Sequence, residues 1–109
     1  MELAFQEKRL RDLCEEESLA REELGEQAAN LLMHRIADMR AATSVQDLVA
    51  GSPRETKGPT PPLLLISLGD RYRIRIAANH VTNPLTPSGA VEWIKVRRVK
   101  IVAIEVADE

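Results

Sequence analysis

Aromatic residues are nearly missing from this chain of 109 residues: Phe5, Tyr72 and Trp93 are all it has. That scarcity argues against a nonspecific single-strand binder that stacks successive bases on aromatic platforms. Cysteine is represented only by Cys14. An intramolecular disulfide and a multi-cysteine zinc site are therefore excluded. The missing disulfide framework fits a reducing cytosol, so a cytoplasmic protein is expected. No apolar run approaches the roughly eighteen residues of a membrane span, and no membrane partner is expected. The opening Met-Glu-Leu-Ala-Phe-Gln-Glu-Lys lacks the basic-then-apolar layout of a signal peptide. P-loop, GxGxxG, HExxH and GxSxG motifs are absent. His34 and His80 lack metal-ligand spacing, so neither a metal nor a cofactor is expected.

What is present suits one globular domain over residues 1–109, with 44% apolar and 29% charged residues. The formal charge of −2 argues, taken whole, against a polyanion binder. Its distribution argues the other way. Acidic residues crowd the first half, with Glu15-Glu16-Glu17 and Glu22-Glu23 on a helical stretch. Residues 71–100 carry Arg71, Arg73, Arg75, Lys95, Arg97, Arg98 and Lys100 against Glu92, a net charge of +6. A local basic field of this kind is what a phosphate backbone meets.

Residues 1–5 alternate, with Leu3 and Phe5 on one side, as in a short strand. From Gln6 the spacing becomes helical, with Leu10, Leu13, Cys14 and Leu24 on one stripe. Glu7–Arg11 and Glu17–Arg21 stand at i,i+4 with the acid first, the better orientation. Gly25 breaks the pattern, and a second helix is predicted over 26–42 with Ala28, Leu32, Ile36 and Met39 inward. The pair reads as a helical hairpin. Ser44 and Asp47 cap a short helical turn that would turn Val45, Leu48 and Val49 inward. Residues 51–62, rich in Pro and Gly, exclude a helix or strand interior.

Strand language follows. Residues 63–68 are apolar, Gly69-Asp70 suits a two-residue hairpin turn, and 71–77 alternate with Tyr72, Ile74 and Ile76 on one face. Residues 79–94 are irregular. A last strand spans 96–106, and its phase changes near Ile101-Val102, as at a bulge. Helices first and strands later imply an α+β fold, with the helical hairpin packed on one face of a small antiparallel sheet.

The most informative feature is the ladder Arg71, Arg73, Arg75. Guanidiniums at alternate strand positions project together, roughly 7 Å apart. Planar forks of this kind bind phosphate oxygens and stabilise the charge of a phosphoryl transition state. A solvated strand face or a charge-protected edge is the plainer reading. Lys95, Arg97, Arg98 and Lys100 extend the surface if the last strand pairs beside the ladder. His80, in a loop near these arginines, is a candidate acid or base; its plainer role is a hydrogen bond within its own turn. His34 reads as a surface helix residue and Cys14 as a small core residue.

Several segments together carry a resemblance. These are Phe5-x-x-Lys8-x-Leu10-Arg11-x-Leu13-Cys14, Asp47-Leu48-Val49-x-Gly51 and Leu68-Gly69-Asp70-Arg71-Tyr72-Arg73-Ile74. Asn79-His80, Asn83-Pro84, Gly89, Trp93-x-Lys95-Val96 and Val99-Lys100-Ile101-x-x-Ile104-Glu105 complete the set. Spread over nearly the whole chain, they resemble the RelE/ParE superfamily of toxins, specifically the HigB-like killer proteins of type II toxin-antitoxin modules. The resemblance implies a helical hairpin on a small curved antiparallel sheet. It implies translation inhibition by ribosome-dependent mRNA cleavage, in which the RNA's own 2′-hydroxyl attacks and no metal is needed. The partners implied are a cognate HigA-like helix-turn-helix antitoxin, the ribosome and mRNA. Arg73 is the implied phosphate or transition-state residue, with Arg71, Arg75, Lys95 and Arg98 as RNA-phosphate ligands and His80 as acid or base. Where the family often ends Asp-Tyr-His, this chain has Val106-Ala107-Asp108. That leaves open a catalytically degenerate or ParE-like protein acting only by binding antitoxin, RNA or DNA gyrase.

Overall fold

The alternating N-terminal residues form strand β1 (Glu2–Phe5), with Leu3 and Phe5 packed against the core. The computed structural model describes residues 1–57 and 61–107. Three helices follow β1: α1 (Lys8–Glu15), α2 (Glu17–Leu24) and α3 (Glu26–Ala41). The spacing predicts one helix where α1 and α2 stand. The break is at Glu16, whose backbone is extended at φ −116° and ψ 100°. This corner lets α1 rest on the sheet while α2 packs on α3. A straight helix of both lengths, about 25 Å, would leave one of those surfaces. Gly25, at φ 90°, then turns the chain into α3. The expected Glu17–Arg21 pair forms at 2.6 Å. The Glu7–Arg11 pair does not: the Arg11 guanidinium lies over the Phe5 ring, 5.5 Å from its centre, and Lys8 pairs with Asp12 instead.

A 3₁₀ turn at Val45–Asp47 follows, and the Asp47 carboxylate accepts N–H bonds from Thr43 at 2.9 Å and Ser44 at 3.4 Å, as capping requires. Val45 is buried as expected, but Val49 is 81% exposed. The 3₁₀ turn stops at Asp47 and Leu48 is extended, so helical phase does not carry Val49 inward.

The remaining strands are β2 (Arg54–Glu55), β3 (Leu64–Ser67), β4 (Tyr72–Ala78) and β5 (Arg98–Val106). They form one sheet in the order β1-β5-β4-β3-β2. The sheet is mixed rather than antiparallel, because β1 pairs with β5 in parallel. The helical layer, not a hairpin, connects β1 to the rest, so nothing forces its direction to reverse. The two-residue β2 lies inside the stretch predicted to exclude strand; it pairs with β3 at the sheet edge. Gly58, Pro59 and Thr60 of that stretch lie outside the described residues. The β3–β4 connection is three residues, Gly69 to Arg71, rather than two, because Leu68 N–H still donates to Tyr72 C=O at 2.9 Å.

Leu13, Leu32, Met39, Ile74, Ile76, Val99 and Ile101 are fully buried between helices and sheet. Each such side chain contributes about 1.5–3 kcal/mol of hydrophobic stabilisation. The expected bulge is there. Ile76 pairs with Ile101 and Arg75 with Ala103, so Val102 is the extra residue. Among the described residues, no helix is long and apolar enough to cross a membrane.

Candidate functional site

Period-two alternation along β4 sends Ile74 and Ile76 into the core and leaves Arg73 and Arg75 on the other face. That face is partly exposed, while the core face is sealed. The register sets the same face of β5: Glu105 lies opposite Arg73, Ala103 opposite Arg75 and Lys100 opposite Ala77. Lys100 and Glu105 share this face only because Val102 bulges. Without the extra residue their odd separation would put them on opposite faces. Asn79 N–H donates to the Arg98 carbonyl at 2.8 Å, continuing the seam. Arg73, Arg75, Lys100 and Arg98 therefore follow one another along the β4–β5 seam over about 20 Å.

Glu105 sits between the two arginines. Its Oε2 accepts Nε–H of Arg73 and Nε–H of Arg75, both at 2.7 Å, and lies 2.7 Å from an Arg73 terminal nitrogen. Partial burial pushes this carboxyl up. Hydrogen bonds from Arg75 and Arg73, with their charges, pull harder and hold it below its ordinary value. Two cations and one anion leave the cluster with one excess positive charge.

Beside Arg73 is a cleft of about 190 Å³, walled by Gly51, Ser52, Arg54, Ser67 and Tyr72. Drug-sized ligands occupy about 300–1,000 Å³, whereas an apolar cavity of about 150 Å³ holds a benzene ring. The cleft therefore has room for one ring-sized group. Its wall depends on Gly51, where a Cβ would stand 2.6 Å from Ile66 Cγ2 and 2.7 Å from Arg35 Nε. Arg35 in turn donates to the Ser67 carbonyl at 3.1 Å.

The other expected residues are placed differently. Arg71 has left the ladder for the turn, with its guanidinium 5.6 Å from the centre of the Tyr72 ring. Lys95 lies in a 3₁₀ turn, Trp93–Lys95, and pairs with Glu92 at 3.5 Å. Arg98 is on the seam and pairs with Glu2 at 3.6 Å, both largely exposed. Exposed pairs of this kind contribute at most about 1 kcal/mol. His80 is not brought to Arg73. It lies past the opposite end of β4, about 20 Å away by strand rise. Its Nε2 accepts the Arg97 backbone N–H at 3.1 Å, and the His80 backbone N–H donates to Asn83 Oδ1 at 2.9 Å. That lone pair is engaged in joining the start of the 79–94 loop to its end.

His34 is exposed on α3 and Cys14 is buried, as expected. Burial pushes the Cys14 thiol up to about 12, so it is no nucleophile at neutral pH. Asp108, part of the expected chain-end comparison, lies outside the described residues. Sequence reasoning missed Glu105 and Arg54. Arg54 carried no signal in a Pro/Gly-rich stretch, and Glu105 becomes visible only when register and bulge are known. No protein-family model, curated protein or solved structure matches this chain.

Proposed function

We propose that this protein is a HigB-like toxin of the RelE/ParE superfamily, a helical hairpin on a curved sheet, that cleaves ribosome-bound mRNA and is neutralised by a HigA-like antitoxin. One observation carries the reading: Arg73 and Arg75 project together from the central strand onto the sheet face that the helices leave open. In this reading Arg73 holds the scissile phosphate and meets the charge of the transition state. Arg75, Lys100 and Arg98 hold the neighbouring backbone along the seam. The cleft beside Arg73 takes one base. Arg71, over the Tyr72 ring, and Lys95 contribute long-range attraction only. The 2′-hydroxyl of the RNA attacks the neighbouring phosphorus, and a 2′,3′-cyclic phosphate forms as the bond to the 5′-oxygen of the next nucleotide breaks. Water takes the 2′ proton and protonates the leaving 5′-oxygen, so the protein needs to position and neutralise rather than supply a nucleophile.

A second reading, a binding-only protein on the same architecture, is favoured by the placement of His80. With that imidazole at the far end of β4, His80 does not stand beside Arg73 to move a proton. The two readings separate in cells. Induced without an antitoxin, the cleaving protein generates new mRNA 5′ ends and arrests growth, and Arg73→Ala lowers cleavage by about 10²–10³-fold, the loss typical of one transition-state donor. Arrested growth with intact message assigns the binding-only reading, and loss of gyrase supercoiling then identifies its ParE-like form. Intact message with unimpaired growth overturns the cleaving reading and the ParE-like form, and leaves only a protein that binds antitoxin or RNA without toxicity.

A further inference from the structure

We propose that Glu105 is the internal occupant of the anion site formed by Arg73 and Arg75, and that a ligand phosphate binds there by displacing it. The inference deepens the proposed function and rests on its reading of this face as a phosphate-binding surface. Its evidence is the geometry of one oxygen. Oε2 of Glu105 takes N–H groups from both guanidiniums at 2.7 Å, while no partner for Oε1 is found among the described residues. Each guanidinium carries five N–H donors in a rigid fork. A single shared oxygen leaves most of them unused and makes no side-by-side, two-oxygen pair with either arginine. A phosphate presents more oxygens to the same donors and can fork both arginines at once.

Displacement is also sterically open. The Glu105 and Arg75 side chains are each 32% exposed and that of Arg73 is 16% exposed, so an anion approaches from the Arg75 side, where the same-face neighbours across and along the seam, Ala103 and Ala77, are small. The charge balance points the same way: one carboxylate against two guanidiniums holds both arginines at one oxygen without cancelling their attraction for an anion. Glu105 thus keeps two like charges side by side on β4 in the free protein, and it sets how strong an incoming anion must be to take them. A phosphate, free or within a polymer, competes with it for both guanidiniums.

The test titrates inorganic phosphate and, separately, a short unstructured RNA into wild-type protein and Glu105→Gln by calorimetry. The amide keeps the shape and removes the competing charge, so Glu105→Gln binds both probes about tenfold tighter, a gain in line with losing two part-exposed ion pairs. Arg73→Ala in the same background abolishes the gain. Because adjacent guanidiniums without their carboxylate strain the fold, a second measurement uses wild-type protein alone: the carboxyl-carbon NMR resonance of Glu105 moves as phosphate saturates the site. Tightening for phosphate but not RNA assigns the site to a small free anion and still supports displacement. Equal or weaker binding by Glu105→Gln, a Glu105 resonance unmoved at saturation, or no binding of either probe overturns it. Cleavage of mRNA in cells with no effect of Glu105→Gln on affinity overturns this inference and leaves the toxin reading standing. Tighter binding without cleavage does the reverse.

Discussion

Replacing Gly51 by alanine tests whether the loop before β2 is held as closely to the sheet as the cleft requires. Gly51 has φ 85°, and forcing an L-residue there costs about 1–2 kcal/mol. The added methyl also has nowhere to go. Ile66, at 2.6 Å, is 1% exposed and locked in the core, and Arg35, at 2.7 Å, is held by its bond to the Ser67 carbonyl. Overpacking of this kind adds about 1–3 kcal/mol. The combined loss is therefore about 2–5 kcal/mol, against a typical total of about 5–15 kcal/mol. At about 4–8 °C per kcal/mol for a domain near this size, Tm falls by about 8–40 °C. Circular-dichroism melting measures it, with Gly25→Ala as the control. Gly25 has a similar φ of 90° but nothing within 4 Å of its Cβ position, so it carries the backbone penalty alone. If Gly51→Ala melts no lower than Gly25→Ala, the close approach of this loop to Ile66 and Arg35 is refuted.

Three further outcomes follow from the same geometry. Glu105 has its carboxyl held below 4.5 in the folded protein, so its stabilising effect is complete above that value and lost as pH falls through the lowered one. The urea midpoint of wild-type protein should exceed that of Glu105→Gln at pH 7 and converge on it under acid; a difference that persists or grows at low pH contradicts the bridge. Cys14, with its thiol raised to about 12 and buried, should resist a thiol-specific chromogenic reagent at pH 8 until denaturant is added; rapid labelling of native protein contradicts its core position. His80→Ala should lower stability by at most about 1 kcal/mol, the worth of one exposed hydrogen bond, and leave RNA affinity unchanged; a loss of cleavage at unchanged stability would place His80 in the chemistry after all.

Much of the architecture was legible because its signals are local. The helical stripe of Leu10, Leu13 and Cys14, the break at Gly25, the alternation of Ile74 with Ile76 and the phase slip near Val102 each sit within a few residues, and each appears in the fold. What was not legible depends on distant partners. Nothing near Glu16 marks a corner: it arises because α1 is needed on the sheet and α2 on α3. The parallel pairing of β1 with β5 joins residues 2–5 to 98–101, and no local pattern states strand direction across such a gap. Val49 misled because an inward phase was assumed to continue past a turn that ends two residues earlier.

The charge of the site follows the same rule, with a consequence for binding. The excess of +6 over residues 71–100 is a property of the sequence window, whereas the field at the sheet depends on what the fold sets beside it. Glu105 and Glu2, both outside that window, neutralise part of Arg73, Arg75 and Arg98, and Glu92 sits with Lys95 away from the seam. The surface that remains is a moderate positive line rather than a dense cluster, ending at one cleft. A dense cluster binds any polyanion and relies on counterion release for its affinity. A moderate line with its key arginines already paired is more selective, because an incoming anion has to outcompete Glu105 before it gains both guanidiniums. Under the proposed function, such a surface suits RNA held in place by another assembly better than RNA captured free from solution.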